Sequence, residues 1–150
     1  MDTKPLGNTG VRIPEIGYGT WNYKGDPATI HRAMELGATL IDFAGKTRCC
    51  GFPILTINEK NSVAMVAKHT SEVKDLGADA MVTPCPLCHL NLDGYQPKAG
   101  KQIKRQINMP IIHLPQLVGL AMGISAKDLG LQRHIISTKP LMTKLGVAAG

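Results

Sequence analysis

Four cysteines, arranged as two pairs, are the residues of this 150-residue chain whose types and spacing could do chemistry. Cys49 and Cys50 are adjacent, whereas Cys85 and Cys88 form a Cys-x-x-Cys pair, and residues 51–84 separate the two pairs. Two thiol pairs at such a separation are typical of one soft-metal site built from two loops. We therefore predict that all four cysteines ligate a metal, and we assign no catalytic residue.

The adjacent cysteines, Cys49 and Cys50, indicate which metal the predicted site would bind. Four thiolates suit either zinc or an iron–sulfur cluster. Structural zinc usually takes two Cys-x-x-Cys pairs, and Cys49-Cys50 is not one. A cluster contains several irons, so neighbouring thiolates can bind different ones. The pattern favours iron and sulfide, with zinc as the alternative; disulfides, idle thiols and a dithiol–disulfide exchanger using Cys85 and Cys88 stay open as further interpretations.

Composition limits the kinds of partner. The formal net charge is +6, but the basic residues are spread along the chain, so nucleic-acid binding is not expected. The densest basic run, residues 98–105, is typical of a solvated helix face, with a docking patch for an acidic protein as the alternative. No apolar stretch approaches the roughly 20 residues that span a bilayer, and residues 1–20 show no charged-then-apolar pattern typical of a signal segment. We expect a cytoplasmic protein that contacts no membrane.

Hydrophobic periodicity predicts alternating strands and helices. After a short amino-terminal hairpin, strands are predicted at residues 16–20, 38–42, 80–83, 110–114 and 134–137. Helices are predicted to begin at Asp26 and to cover about residues 62–76, and residues 44–48 and 94–100 read as loops. The expected fold class is α/β, a single compact domain with a mostly parallel sheet of about four or five strands and flanking helices.

The predicted strands place both cysteine pairs at one edge of the sheet. Each pair follows a strand, and the carboxyl ends of parallel strands share an edge. Residues 83–86 read as a helix entry with Thr83 or Pro84 near the cap, a position that favours the thiolate of Cys85. His89 could hydrogen-bond a sulfur of this site or relay a proton, but a partly exposed helix residue is the commoner case. His113 reads as a core residue and Asp42 as a turn residue.

Residues 45–149 resemble the carboxyl-terminal part of the cysteine-rich (CCG) domain found in the B-type subunit of heterodisulfide reductase. The matching stretches are GKTRCCGF at residues 45–52, TPCPLCHLNLD at 83–93 and LPQLVGLA at 114–121. The resemblance implies a 4Fe-4S-type, non-cubane iron–sulfur cluster on the four cysteines, and electron-donating partner subunits. It also implies an oxidoreductase, active in electron transfer and in reduction of a disulfide of methanogenic coenzymes.

Residues 1–44 resemble the amino end of an aldo-keto reductase instead. LGNTGV at residues 6–11, IGYGTW at 16–21 and ELGATLID at 35–42 carry this resemblance. The position of that family's catalytic tyrosine holds Thr47, so aldo-keto reductase activity is not expected. The two resemblances divide the chain into segments 1–44 and 45–150, which we expect to form one folded unit, a chimera.

The join has a chemical consequence for the metal site. The heterodisulfide reductase motif begins with a further cysteine, which would fall near residues 9–17, where this sequence has none. Five ligands become four, so we expect an impaired cluster. The alternative function is a non-enzymatic fold chimera that carries free thiols or adventitious zinc.

Overall fold

The computed structural model describes the backbone of two short strands near the amino end, residue 39, and residues 41–148. Strand β1 (Thr3–Pro5) pairs antiparallel with β2 (Arg12–Pro14), with Thr3 opposite Pro14. This confirms the predicted hairpin. The strand predicted at residues 16–20 and the helix predicted to begin at Asp26 lie outside the described residues.

Five helices and a second pair of strands follow in the described range 41–148. The helices are α1 (Glu59–Asp75), α2 (Pro86–Gly94), α3 (Gln96–Gln102), α4 (Leu114–Ala121) and α5 (Lys139–Lys144). The strands are β3 (Met81–Thr83) and β4 (Ile111–His113). Short 3₁₀ turns occupy Ala44–Thr47, Phe52–Ile54 and Leu131–Arg133.

Helix α1 confirms the prediction over residues 62–76 and begins one turn earlier. Asn58 caps it, because its side chain accepts a hydrogen bond from the backbone N–H of Asn61 at 3.0 Å. The apolar stripe then buries one face of the helix, with Val63, Val66, Ala67 and Val73 all in the core. Gly77, at φ +78°, ends the helix in the left-handed conformation.

Strands β3 and β4 form a parallel pair, with Val82 opposite Ile112. Helices α2 and α3 lie in the crossover between them, as a βαβ unit requires. The strands predicted at residues 80–83 and 110–114 are therefore confirmed. The sheet has two strands in the part of the chain that is described, so the four or five strands that we predicted are not confirmed, and no closed barrel is present there.

Three local predictions were wrong. Residues 39 and 41–43 are not in a strand, and Ile41 is 41% exposed, so this segment lacks the burial that a central strand needs. Residues 134–137 form no strand, because the carboxylate of Asp93 accepts the N–H groups of Ile135 and Ile136 at 2.7 and 3.0 Å. Residues 94–100 are largely helical rather than a loop, since Pro97 lies in the first turn of α3, where proline is tolerated.

The described residues form a core of two apolar clusters, one on either side of the β3–β4 pair. One contains the buried face of α1 together with Leu92, Ile107 and Ile111, and the other contains Ile112 and Met142. Cys50 belongs to the first cluster, so one of the predicted ligands is part of the hydrophobic core. No helix among the described residues has the length and apolar character to cross a membrane.

Candidate metal centre

The later cysteine pair lies where strand β3 gives way to helix α2. Cys85 itself is the cap residue of α2 and Pro86 is its first residue, so the cap is not Thr83 or Pro84 as predicted. The carbonyl of Cys85 accepts the first intrahelical bond, from the N–H of His89 at 3.0 Å. Cys88 is one turn further along the helix, and both cysteines of this pair are half-buried.

The adjacent pair lies on a loop that turns sharply into the 3₁₀ turn at Phe52–Ile54. Cys49 is exposed and Cys50 is 6% exposed. Gly51 follows at φ +94°, and a Cβ atom there would lie 3.1 Å from the backbone and the hydroxyl of Ser62 on α1. Only glycine fits both the left-handed backbone and this close approach, so the loop is packed directly on the helix.

Two buried side chains hold the backbone of this loop. The ring Nε2 of His69, on α1, donates to the carbonyl of Cys49 at 3.0 Å. The amide Nδ2 of Asn91, on α2, donates to the carbonyl of Cys50 at 2.8 Å and to the hydroxyl of Ser62 at 3.4 Å. Both vicinal cysteines are thus held through their main-chain carbonyls, each by a different helix.

Sequence reasoning missed His69 and Asn91. No signal in the sequence singles out His69. Asn91 could have been found, because it follows Cys88 by three residues and therefore lies on the same face of α2, one turn along. It is fully buried, and a fully buried amide must find partners.

The structure brings the sulfurs of the two pairs together. The side chains of Cys50 and Cys88, which come from the two loops, lie close enough for each to shift the pKa of the other. Within each pair, Cys49 also lowers the pKa of Cys50, and Cys85 also raises the pKa of Cys88, so the two members of each pair are near one another as well. The four side chains therefore form one continuous group, and their role as ligands stays a prediction.

The contact between the loops decides which thiol ionises first. The Cys88 thiol donates to the Cys50 sulfur and, against the opposing effect of burial, lowers the pKa of Cys50 to about 6. Backbone N–H groups of Phe52 and Cys50, and the Cys49 thiol, add to this effect. The same contact raises the pKa of Cys88, and burial and the charges of Cys50 and Cys85 raise it further. One thiolate is therefore present at neutral pH before any metal binds.

The cysteine sulfurs are not grouped as tightly as the ligands of a preformed zinc site. Zinc holds sulfur at about 2.3 Å, so the sulfurs of a tetrahedral zinc site are roughly 3.8 Å apart. Among the described residues, no three cysteine sulfurs lie within 4.8 Å of one another. A group of several irons spans a larger distance, and its soft thiolate ligands are the donor type present here.

Two further residues considered from the sequence lie outside this group of sulfurs. Asp42 is exposed and pairs with Lys46 at 2.6 Å, and this lysine lowers the pKa of Asp42 by hydrogen bond and charge. His113 is half-buried, and its Nε2 has no partner among the described residues, so it is not the satisfied core residue that we predicted.

Comparison with known proteins bears on this cysteine arrangement. Residues 21–93 match the family model described as CCG, cysteine-rich domain. That range contains all four cysteines. The chain is also 37% identical, over 95% of its length, to the 8-methylmenaquinol:fumarate reductase membrane anchor subunit of Wolinella succinogenes. It is 29% identical, over 73% of its length, to the B-type subunit of the ferredoxin/F(420)H(2)-dependent CoB-CoM heterodisulfide reductase of Methanosarcina acetivorans. The corresponding subunit of the ferredoxin:CoB-CoM heterodisulfide reductase of Methanosarcina mazei is 28% identical over the same share.

These matches support the CCG resemblance of the carboxyl-terminal segment. The chain spans about half of the Wolinella relative, 52%, and 37% of each of the two Methanosarcina relatives. Neither comparison supports the aldo-keto reductase resemblance of residues 1–44. The family match begins at residue 21, ahead of the predicted join, and the chimera stays unconfirmed.

Proposed function

We propose that this chain is an iron–sulfur redox module of the CCG type, which carries electrons within a reductase complex. The observation that carries the proposal is the closeness of Cys50 to Cys88, which places thiols from two loops together near the carboxyl end of β3. Cys49, Cys50, Cys85 and Cys88 would hold the cluster, and the cluster would supply one-electron chemistry.

The donor set and its surroundings support iron and sulfide. The thiolate of Cys50 is available at neutral pH, and it is buried in an apolar cluster that keeps water from one side of the site. The sulfur spacing disfavours a single zinc ion. The proposal extends to a cluster of the non-cubane type that is impaired by the missing first cysteine.

The relatives favour electron transfer as the shared element of function. One relative is named for fumarate reductase and the others for heterodisulfide reductase. Their named substrates differ, but each is a subunit of a reductase. We therefore propose partner subunits that deliver electrons. Disulfide reduction is the more specific candidate, favoured by the heterodisulfide reductase relatives. The name of the Wolinella relative leaves the prediction of no membrane contact untested.

Anaerobic reconstitution tests the proposal. We expect the purified chain to take up iron and sulfide and to give an EPR signal after reduction or oxidation. Cys50→Ser and Cys88→Ser should lose most of the iron, whereas Ser137→Ala, an exposed change far from the sulfurs in sequence, should not. A colourless chain that binds zinc with four sulfurs instead would favour the non-enzymatic alternative and overturn the redox assignment.

A further inference from the structure

A second group of metal-ligating side chains lies beside the four cysteines and shares no residue with them. His89 and Asp93 are one turn apart on the same face of α2, at i and i+4. His134 lies just after the 3₁₀ turn Leu131–Arg133. One ligand atom from each of the three residues lies within 4.8 Å of the other two. Three nitrogen or oxygen donors from two separate elements thus converge on one point.

The metal-ligating atoms of these three residues are buried, and only some of them have hydrogen-bond partners among the described residues. Nδ1 of His89 and Nδ1 of His134 are buried and have no hydrogen-bond partner among the described residues. Asp93 is 5% exposed, and its two oxygens are held by the N–H groups of Ile135 and Ile136. Each oxygen accepts one bond and keeps a further lone pair. Unpaired buried polar atoms are rare in native proteins and commonly mark a missing water or ion.

We propose that His89, Asp93 and the Nδ1 atom of His134 form a binding site for one divalent ion of the zinc class. Two imidazoles and a carboxylate are a usual ligand set for zinc, with water in the fourth position. With sides of 4.8 Å or less, the triangle of donors places each donor at most about 2.8 Å from the centre. Zinc–nitrogen bonds are about 2.0–2.1 Å long, so inward shifts of under about 1 Å complete the site.

Gln116 determines which nitrogen of His134 is free. Its Oε1 accepts from the N–H of His113 at 3.0 Å, and its Nε2 donates to the carbonyl of Leu129 at 3.0 Å. This fixes the amide, so Nε2 of Gln116 also donates to Nε2 of His134 at 3.0 Å. The neutral ring of His134 then carries its proton on Nδ1. An ion at Nδ1 displaces that proton and requires a proton on Nε2, so Gln116 must turn as the ion binds.

The ion would have a structural role. It would join helix α2, which carries Cys88, to the segment around His134, and zinc has no redox chemistry of its own. The site goes beyond the proposed function and does not depend on it, because its ligands are nitrogen and oxygen atoms. Its occupancy can therefore be measured separately from the iron content of the cysteines.

Zinc X-ray absorption on the intact 150-residue chain tests the proposal. The cysteines are first filled with iron and sulfide or, if the chain retains no iron, alkylated with iodoacetamide, and one equivalent of zinc is then added. We expect a nitrogen and oxygen shell at about 2.0–2.1 Å without the sulfur shell at about 2.3 Å. A sulfur shell, or no retained zinc, overturns the proposal whether or not the iron assignment holds.

Matched variants identify the ligands. His134→Phe should weaken zinc binding by about 100-fold or more, whereas His113→Phe, in the same group of rings, should leave it nearly unchanged. Gln116→Glu should strengthen binding, because a carboxylate accepts the Nε2 proton of His134. Circular dichroism checks folding, and His89→Gln replaces any variant that does not fold. Unchanged affinity in His134→Phe or His89→Gln, or no gain in Gln116→Glu, contradicts the assignment.

Discussion

Gly51→Ala offers a test of how the vicinal cysteine loop is packed. Gly51 has φ +94°, and an added Cβ would lie 3.1 Å from the Cα and carbonyl oxygen of Ser62. The left-handed backbone costs a non-glycine residue about 1–2 kcal/mol. Overpacking against a rigid helix adds about 1–3 kcal/mol, because the atoms in contact belong mainly to the backbone and cannot rotate away. We expect a total loss of about 2–5 kcal/mol.

Gly77→Ala is the matched control for this change. Gly77 also has a positive φ, +78°, but a Cβ there meets nothing within 4 Å. It should therefore show the backbone cost alone, and the difference between the two variants isolates the contact with Ser62. Urea unfolding of the reduced, metal-free chain, followed by far-ultraviolet circular dichroism, measures both free energies.

The same pair of variants separates stability from site assembly. If Gly51 positions the loop for the cluster, Gly51→Ala should also lose iron uptake under conditions where it is still folded, and Gly77→Ala should retain it. Equal losses of stability in the two variants, within about 0.5 kcal/mol, would refute the packing argument, since this is the scatter of ordinary surface changes.

Two further predictions concern the contacts that join the loops. Asn91→Leu should reduce iron uptake. Gln96→Leu removes another buried amide, which has bonds of 2.7–2.9 Å to Met109, and should destabilise the chain to a similar degree without reducing iron uptake. Iron analysis of the folded variants measures the difference, and equal iron retention in both would contradict a role of Asn91 in positioning the cysteine loop. Cys88→Ala should raise the pKa of Cys50 from about 6 towards its ordinary value near 8.5, because the main donor to its sulfur is removed. In the metal-free parent chain the unfolded state keeps the Cys50 proton to higher pH than the folded state, so stability should rise with pH between about 6 and 8. This rise should flatten in Cys88→Ala. Thiolate absorbance and urea unfolding across that range measure the two effects, and an unchanged titration would contradict the assigned contact.

Sequence patterns predicted those helices and strands that are determined by residues within their own segment. Helix α1 was predictable because its apolar stripe and its glycine stop both lie within the segment. The strands β3 and β4 were predictable as short apolar runs. The strand expected at residues 134–137 failed for a reason that no local pattern contains. Its N–H groups bond to Asp93, which is more than forty residues away in sequence.

The candidate site likewise has a part that the sequence predicted and a part that it did not. The cysteine spacing singled out the four thiols, and the structure places their side chains near one another. The acceptors of the hydrogen bonds from His69 and Asn91 were not predictable from the sequence, because they are backbone carbonyls of a distant loop. Every residue type has a backbone carbonyl, so the sequence of the loop does not indicate which of its carbonyls accepts a hydrogen bond.

The attachment of the vicinal cysteines through main-chain carbonyls has a consequence for damage by oxygen. His69 and Asn91 hydrogen-bond to the main-chain carbonyls of the loop and not to its sulfurs, so removal of a cluster would leave the loop bound to both helices. A cluster lost to oxidation could then be rebuilt on a scaffold that had kept its shape, with reduction of the thiols and a fresh supply of iron and sulfide. Repair would require no refolding.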